Sequence, residues 1–297
     1  MKNGKTKVKC LALLSGGLDS ILAVKILQKQ GVVVTGLCFA SYFFKSELAE
    51  RAAEWLGIDL KIVDISDEHL KMVKSPVYGY GKNANPCIDC HLMMLKKAKE
   101  IIRLSDSRTH FVATGEVLGE RPMSQNKGAL ELLEKESGLS GYLLRPLSAR
   151  LLEPTIPEKD GWVEREKLLA ISGRQRKEQM TLAEEFGLKD YPTPSGGCLL
   201  TDPEFGKRLK ELFKRWPDCD GNDVLLLKLG RHFWVGDDKI VVGRNEGENA
   251  EIKKLSLEKD VVIEPKDYPG PTVLVRSKGE ISEEIVKKAK ELMRKYS

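Results

Sequence analysis

The chain has 297 residues, 31% of them charged, with 49 Lys and Arg against 44 Asp and Glu and a net charge of +5. That length points to two domains, the larger with ample core of its own, and the mild positive balance hints at a polyanionic partner. No apolar run reaches the roughly 18 residues a membrane helix needs, and the basic start, Met1 to Lys9, leads into a strand rather than a signal sequence, so a cytoplasmic protein without a membrane partner is expected.

The first element is the most informative. Cys10-Leu11-Ala12-Leu13-Leu14 reads as a buried strand, and Ile21 to Leu27 repeats apolar residues at helical spacing. Between them lies Ser15-Gly16-Gly17-Leu18-Asp19-Ser20, a glycine turn opening a helix. Adjacent glycines let the backbone approach an anion, toward which the new helix directs free N–H groups and its positive dipole end. Ser15 and Ser20 add hydroxyl donors, and Asp19 could hold Mg²⁺ or order the turn. No Gly-Lys-Ser/Thr follows at Walker-loop spacing. On residues alone, a phosphate site and an ordinary βα turn capped by Asp19 or Ser20 both fit.

Val32 to Ala40 reads as a second buried strand, Ser46 to Leu56 as its helix and Leu60 to Ile65 as a third strand. Strands alternating with helices imply right-handed crossovers and a parallel α/β sheet with helices on both faces. Ligands then sit beyond the carboxyl ends of the strands, which makes Phe39 and the residues after it candidates to flank an adenine. Leu70 to Pro86 reads as a long loop, His91 to Arg103 as a helix and His110 to Glu116 as a fourth strand ending at Gly115. Gly128 to Glu136 suggests a short helix and Leu143 to Leu147 a last strand. Helices are expected over Arg165–Ser172, Arg174–Phe186 and Phe205–Trp216, the charged start of the second offering Arg174 or Lys177 to RNA phosphates. A boundary near Pro203 divides a catalytic domain, 1–203, from a small α+β domain, 204–297. In the latter, strands are expected around Val224–Leu229, Phe233–Val235, Lys239–Val242 and Thr272–Val275, with a closing helix over Ser282–Tyr296.

Six cysteines in an intracellular chain are kept for metals or catalysis rather than as a disulfide framework. Cys87 and Cys90 precede a helix, where the dipole favours thiolates, and Cys198 stands in the Pro/Gly-rich run Tyr191 to Cys198. Three thiolates with one open position suit a [4Fe–4S] cluster, because zinc normally wants a fourth protein ligand and none is obvious. A reactive pair with a bystander is the plainer alternative. His91 reads as a helix-surface residue, Cys10 and Cys38 as core, and Cys219 as a lone surface-turn cysteine. In the small domain, Arg231, Phe233, Trp234, Arg244 and Asn245 interleave basic, polar and aromatic side chains. That pattern suits phosphate neutralisation and base stacking, though one of the two adjacent aromatics must face a core.

The hexapeptide Ser15–Ser20 resembles the PP-loop, SGGxDS, of the ATP pyrophosphatases, which cleave ATP between the α and β phosphates. Gly115-Glu116-Val117-Leu118-Gly119-Glu120 with Ser124-Gln125 is similar to a stretch of 4-thiouridine synthetases, and Lys177 to Cys198 is similar to tRNA 2-thiouridylases. Pro86-Cys87-Ile88-Asp89-Cys90 with Gly196-Gly197-Cys198 resembles the thiolases that hold a cluster on Cys-x-x-Cys plus a distant Cys. Val242-Gly243-Arg244-Asn245 through Asn249 resembles the NFACT RNA-binding domain. The resemblance covers roughly residues 8–200 plus this last piece. It implies an ATP-dependent tRNA sulfurtransferase that adenylates a uridine carbonyl and replaces its oxygen with sulfur. ATP and Mg²⁺ would sit on Ser15, Gly16, Gly17, Asp19 and Ser20, with Phe39 and Gly115 near the nucleotide. Cys87, Cys90 and Cys198 would hold the cluster and, with Asp19, form the catalytic set. Expected partners are tRNA and a sulfur donor (hydrosulfide, a cysteine desulfurase or a sulfur carrier), and a homodimer stays open. The alternatives are a PP-loop nucleobase-amidating or ligating enzyme with zinc at the cysteines, and a non-catalytic RNA-binding factor.

Overall fold

The computed structural model describes residues 7–104, 109–189, 191, 198–265 and 269–297. It divides into two compact units, Met1–Leu200 and Thr201–Ser297.

In the first unit, β1 (Lys9–Leu13), α1 (Leu18–Lys29), β2 (Val33–Ala40), α2 (Glu47–Leu56), β3 (Leu60–Asp64), α3 (Ser66–Lys74), α4 (Cys87–Leu104), β4 (Phe111–Ala113), α5 (Lys127–Ser137), β5 (Leu143–Leu144), the single turn α6 (Ile156–Lys159) and α7 (Lys177–Glu185) follow in order. The five strands form one parallel sheet in the order β3-β2-β1-β4-β5. Both faces are covered, which is why β1 is apolar at consecutive positions rather than alternating. Cys10 and Ala12 pack with α1, α2 and Ala183 of α7, whereas Leu11 packs with Leu95 of α4 and Leu133 of α5. The chain leaves β1 toward β2 and leaves β4 toward β5, so the strand order reverses between β1 and β4. A crevice opens at such a switch point beyond the strands' carboxyl ends, and Ser15 and Gly115 both stand there.

Several expected elements differ. Leu70 to Lys74 is the end of α3 rather than loop, and α4 begins at Cys87, so Cys87 and Cys90 lie inside the helix's first turns instead of before it. The strand expected over Leu143–Leu147 is only two residues long. The helix expected over Arg165–Ser172 is a single 3-10 turn, Arg165–Lys167, followed by extended chain. There the N–H groups of Leu169 and Ile171 donate to the carbonyls of Pro146 and Leu147, and Gly173 N–H donates to Leu118 O at 2.8 Å. This strap lies beside the loop after β4 and delivers Arg176 to the crevice.

The second unit contains α8 (Pro203–Arg215), α9 (Gly221–Leu226), β6 (Arg231–Val235), β7 (Asp238–Val242), α10 (Glu246–Lys254), β8 (Val261–Ile263), β9 (Val273–Arg276) and α11 (Glu283–Lys295). Its antiparallel sheet has the order β6-β7-β9-β8. Val224 to Leu226, expected as strand, are helix, because Asp220 and Asp223 form a reciprocal capping box ahead of them. Cys219 is buried, not exposed on a turn. Among the described residues of this unit, the fully buried basic side chains are Lys239 and Arg276. Arg276 is satisfied by Asp260, Asp223, Asn222 Oδ1 at 2.7 Å and Leu255 O at 2.9 Å. Among the described residues, no helix is long and apolar enough to cross a membrane.

Candidate functional site

The glycine turn is built for close approach. Gly16 has φ +78°, and a Cβ there would stand 2.3 Å from the backbone of Leu48 at the start of α2. A Cβ on Gly115 would stand 2.5 Å from Ser20 N and 2.6 Å from Asp19 C, so the end of β4 lies directly against the first turn of α1. Gly17 is the N-cap and no side chain caps the helix, which leaves first-turn N–H groups for an anion. Ser20 instead donates its hydroxyl to Gly17 O at 2.7 Å, and Ser15 Oγ accepts from Gly17 N–H at 3.3 Å, so both serines shape the turn. Phe39 packs its side chain among Leu11, Leu37 and Ile65 of the core, which leaves its backbone and the residues after it to face the crevice.

Asp19 has a partner from far along the chain that no local pattern announces. Arg176, brought in by the strap, donates Nη2–H to Asp19 Oδ2 at 2.9 Å, and its Nε lies 3.8 Å from Glu120 Oε1. Burial still raises the Asp19 carboxyl above its ordinary range, against the pull of Arg176. Glu120 is raised too, by burial and then by the Asp19 charge.

Below this, Glu116 locks the end of β4 to α4. Its carboxylate accepts from Arg145 Nε–H at 2.9 Å and Thr114 Oγ–H at 3.0 Å, and it lies 2.9 Å from Nδ1 of His91. Burial opposes the Glu116 charge, yet Arg145 and His91 outweigh it and hold the carboxyl at about 2. His91, expected on the helix surface, is therefore a tether next to Cys90. Asp89 is a second tether: its buried carboxylate accepts from Val77 N–H at 2.7 Å and Tyr78 N–H at 3.0 Å, pinning the preceding loop to α4.

The three thiols of interest sense one another. Cys90 is buried, and burial followed by the neighbouring charges of Cys198 and Cys87 pushes its thiol far above the ordinary value. Burial lifts Cys198 to about 11 and raises Cys87, while the Arg121 charge opposes both shifts. Three thiolates so placed would repel one another, and a soft, positively charged group would offset that repulsion; thiolate sulfur is the donor type that iron–sulfur clusters take. Among the described residues, no group of three His, Cys, Asp or Glu side chains is drawn in tightly enough to hold a single metal ion. The glycine run before Cys198, residues 192–197, lies outside the described residues. Cys10 and Cys38 are core, as expected.

In the second unit the interleaved residues are largely engaged. Phe233 packs on the core beside Tyr296, while Trp234 faces the other way against Trp216 at 5.1 Å. Arg215 and Lys239 both stand 5.0 Å from the Trp234 ring, so neither aromatic is a bare stacking platform. Asn245 caps α10 by accepting from Glu248 N–H at 2.9 Å, and Arg244 pairs with Glu248. Arg231 is exposed, its guanidinium 4.6 Å from the Tyr296 ring.

Residues 8–157 match the tRNA methyl transferase HUP domain. The chain belongs to this family. Residues 230–297 match the NFACT protein RNA-binding domain. Among relatives of this HUP-domain chain, the tRNA-specific 2-thiouridylase MnmA of Caldicellulosiruptor saccharolyticus is 25% identical over 291 residues, 86% of this chain and 75% of that protein. The tRNA-specific 2-thiouridylase MnmA of Endomicrobium trichonymphae is 33% identical over 109 residues, 29% of this chain and only 30% of that relative's length. A crystal structure of a 4-thiouridine synthetase–RNA complex with bound ATP has a TM-score of 0.42 at 18% identity, covering 73% of this chain and 53% of that one. The PP-loop resemblance read from Ser15–Ser20 and the NFACT-like C-terminus are thus both met.

Proposed function

We propose that this chain is an ATP-dependent tRNA sulfurtransferase. What carries the reading is the end of β4, where Gly115 lies directly against Asp19 and Ser20 of the glycine turn and the next residue, Glu116, lies 2.9 Å from Nδ1 of His91, the neighbour of Cys90. A nucleotide-activating centre and a sulfur centre then share one crevice. Membership in the HUP-domain family, the names of the thiouridylase relatives and the NFACT-type match support tRNA as the substrate.

In this reading the N–H groups of the turn and the α1 dipole hold the β and γ phosphates and Mg²⁺ lies at Asp19. A uridine carbonyl oxygen attacks the α phosphorus, the bond to the β phosphate breaks, and pyrophosphate leaves. Hydrosulfide then adds to the activated carbon, and AMP departs carrying the former carbonyl oxygen. Adenylation is needed because an unmodified carbonyl oxygen is a poor leaving group. Cys87, Cys90 and Cys198 would hold a [4Fe–4S] cluster, which when bound supplies an iron position free to carry sulfur. Asp89 and His91 fix the thiol-bearing turns, and Arg231 and its basic neighbours in the second unit contact RNA phosphates.

The test is iron and thiouridine measured together. Protein purified without oxygen should hold about four irons per chain, as one cubane cluster requires. Cys87→Ser, Cys90→Ser and Cys198→Ser should each lose iron and thiouridine formation, whereas Cys10→Ser, Cys38→Ser and Cys219→Ser should keep both. Iron-free protein that thiolates tRNA at the parent rate would remove the cluster from the proposal. Absence of thiouridine from the iron-loaded parent, given ATP, hydrosulfide and tRNA, would remove the activity.

A further inference from the structure

A set of unsatisfied polar atoms surrounds Asp19. Arg176 bonds Asp19 Oδ2 at 2.9 Å but reaches Glu120 Oε1 only at 3.8 Å, too far for a hydrogen bond. Asp19 Oδ1, Glu120 Oε2 and Arg176 Nε are consequently buried without a hydrogen-bond partner among the described residues. Gln179, in the first turn of α7, is completely buried with its amide against the Asp19 carboxylate, close enough to lower that carboxyl but not closed into a hydrogen bond of full geometry. Neither polar atom of that amide has a hydrogen-bond partner among the described residues. A finished ion-pair network does not leave so many orphans, because buried polar groups are nearly always paired.

The orphaned acceptors have one chemistry. Asp19 Oδ1, Glu120 Oε2 and Gln179 Oε1 are hard oxygens, the donors Mg²⁺ takes, typically one or two carboxylates completed by water and phosphate oxygens. Arg176 and Arg121 both act on the two carboxylates, and of the two only Arg176 is bonded to Asp19, so a divalent ion between the carboxylates would take over the counter-charge that Arg176 supplies. Arginine cannot vacate the position by losing a proton, so it must swing away. We propose that Asp19, Glu120 and Gln179 form a divalent-cation site that Arg176 fills in the nucleotide-free protein and yields when a metal–nucleotide enters. Freed from Asp19, Arg176 is available to the phosphate chain that brought the metal. The inference rests on Ser15–Ser20 being the nucleotide turn, and it adds Glu120, Gln179 and the exchange of Arg176 to that reading.

The probe is Mn²⁺ alone, titrated into the nucleotide-free full chain and followed by loss of the free-ion electron paramagnetic resonance signal. Arg176→Met removes the charge and should bind Mn²⁺ about tenfold more tightly than the parent, the gain expected when a competing internal cation is deleted. Arg176→Lys keeps a cation and should stay close to the parent. Glu120→Gln placed on Arg176→Met should cancel the gain. Equal affinity in Arg176→Met and the parent overturns the proposal, as does a gain that survives Glu120→Gln. Should Arg176→Met not fold, Glu120→Gln is titrated alone with a non-hydrolysable ATP analogue present. Mn²⁺ affinity should then fall about tenfold while the metal-free analogue still binds, and unchanged Mn²⁺ affinity overturns the proposal. A parent that binds no analogue at all refutes the nucleotide turn itself, which separates failure of that reading from failure of the exchange.

Discussion

Glu116→Gln offers a perturbation whose size follows from the geometry. The carboxylate is 7% exposed and faces Arg145, itself 3% exposed, with Nε to Oε2 at 2.9 Å. Replacing it with the neutral isostere leaves the guanidinium with Glu134 Oε2 at 3.4 Å and the Leu130 carbonyl at 3.1 Å. A carboxyl held at about 2 against an ordinary 4.5 contributes roughly 3 kcal/mol at neutral pH, within the range for stripping one partner from a buried pair. The sign is fixed by the direction of the shift. Between about 2 and 4.5 the unfolded chain binds the proton and the native one does not, so the contribution is complete above 4.5 and is lost as pH falls toward 2. Urea unfolding should therefore show a gap between parent and Glu116→Gln at pH 7 that narrows below about pH 4.5. Trp55 and Trp162, which both belong to the first unit, are the reporters, with Trp216 and Trp234 replaced by Phe in both proteins. Because Glu116 also holds His91 beside Cys90, the variant should lose sulfur transfer more than ATP binding. A gap under about 1 kcal/mol at pH 7, or one that does not narrow in acid, would show that the Glu116 charge does not stabilise the first unit.

Two further outcomes follow from the same geometry. Gly16→Ala combines φ +78° with a Cβ placed 2.3 Å from Leu48 backbone atoms, so the turn must move off α2. Isothermal titration should show ATP affinity reduced by about tenfold or more, with a stability cost of about 2 kcal/mol or more, and parent-like binding would show that the turn does not set the nucleotide site. Lys239 is buried, and burial holds its ammonium down at about 7 against the pull of Asp223. Between about 7 and 10.5 the unfolded chain carries the extra proton, so the second unit should grow more stable as pH rises through that window, and Lys239→Met should abolish the rise. A parent whose second-unit unfolding, followed at Trp216 and Trp234, does not vary over that window would contradict the assignment.

The glycine turn and the parallel sheet were legible because each rests on local signals. Period-2 and period-3.6 apolar patterns alternate along the chain, and adjacent glycines mark the switch from strand to helix. What was not legible depends on distance or on competition. Arg176 meets Asp19 across 157 positions, and nothing around Arg174–Lys177 distinguishes that guanidinium from its exposed neighbours. Arg165–Ser172 carries a helical pattern but spends its N–H groups on Pro146 and Leu147, a tertiary demand that overrides propensity. Val224–Leu227 is a short apolar run that fits strand or helix equally, and the deciding signal, Asp220 three residues before Asp223, was there to be used. The same holds for α10, announced by Asn245 three residues before Glu248, where the cap also occupies side chains that sequence alone offered to RNA.

If adenylation activates the uridine, AMP must carry away the oxygen that sulfur replaces. Transfer RNA made with ¹⁸O at the uridine carbonyl, incubated without oxygen with the protein, ATP and hydrosulfide, tests it through the mass of the AMP released. One ¹⁸O should appear in AMP for each thiouridine formed, and none in pyrophosphate. Unlabelled AMP accompanying thiouridine would contradict it, since the oxygen would then have left by a route that adenylation does not provide.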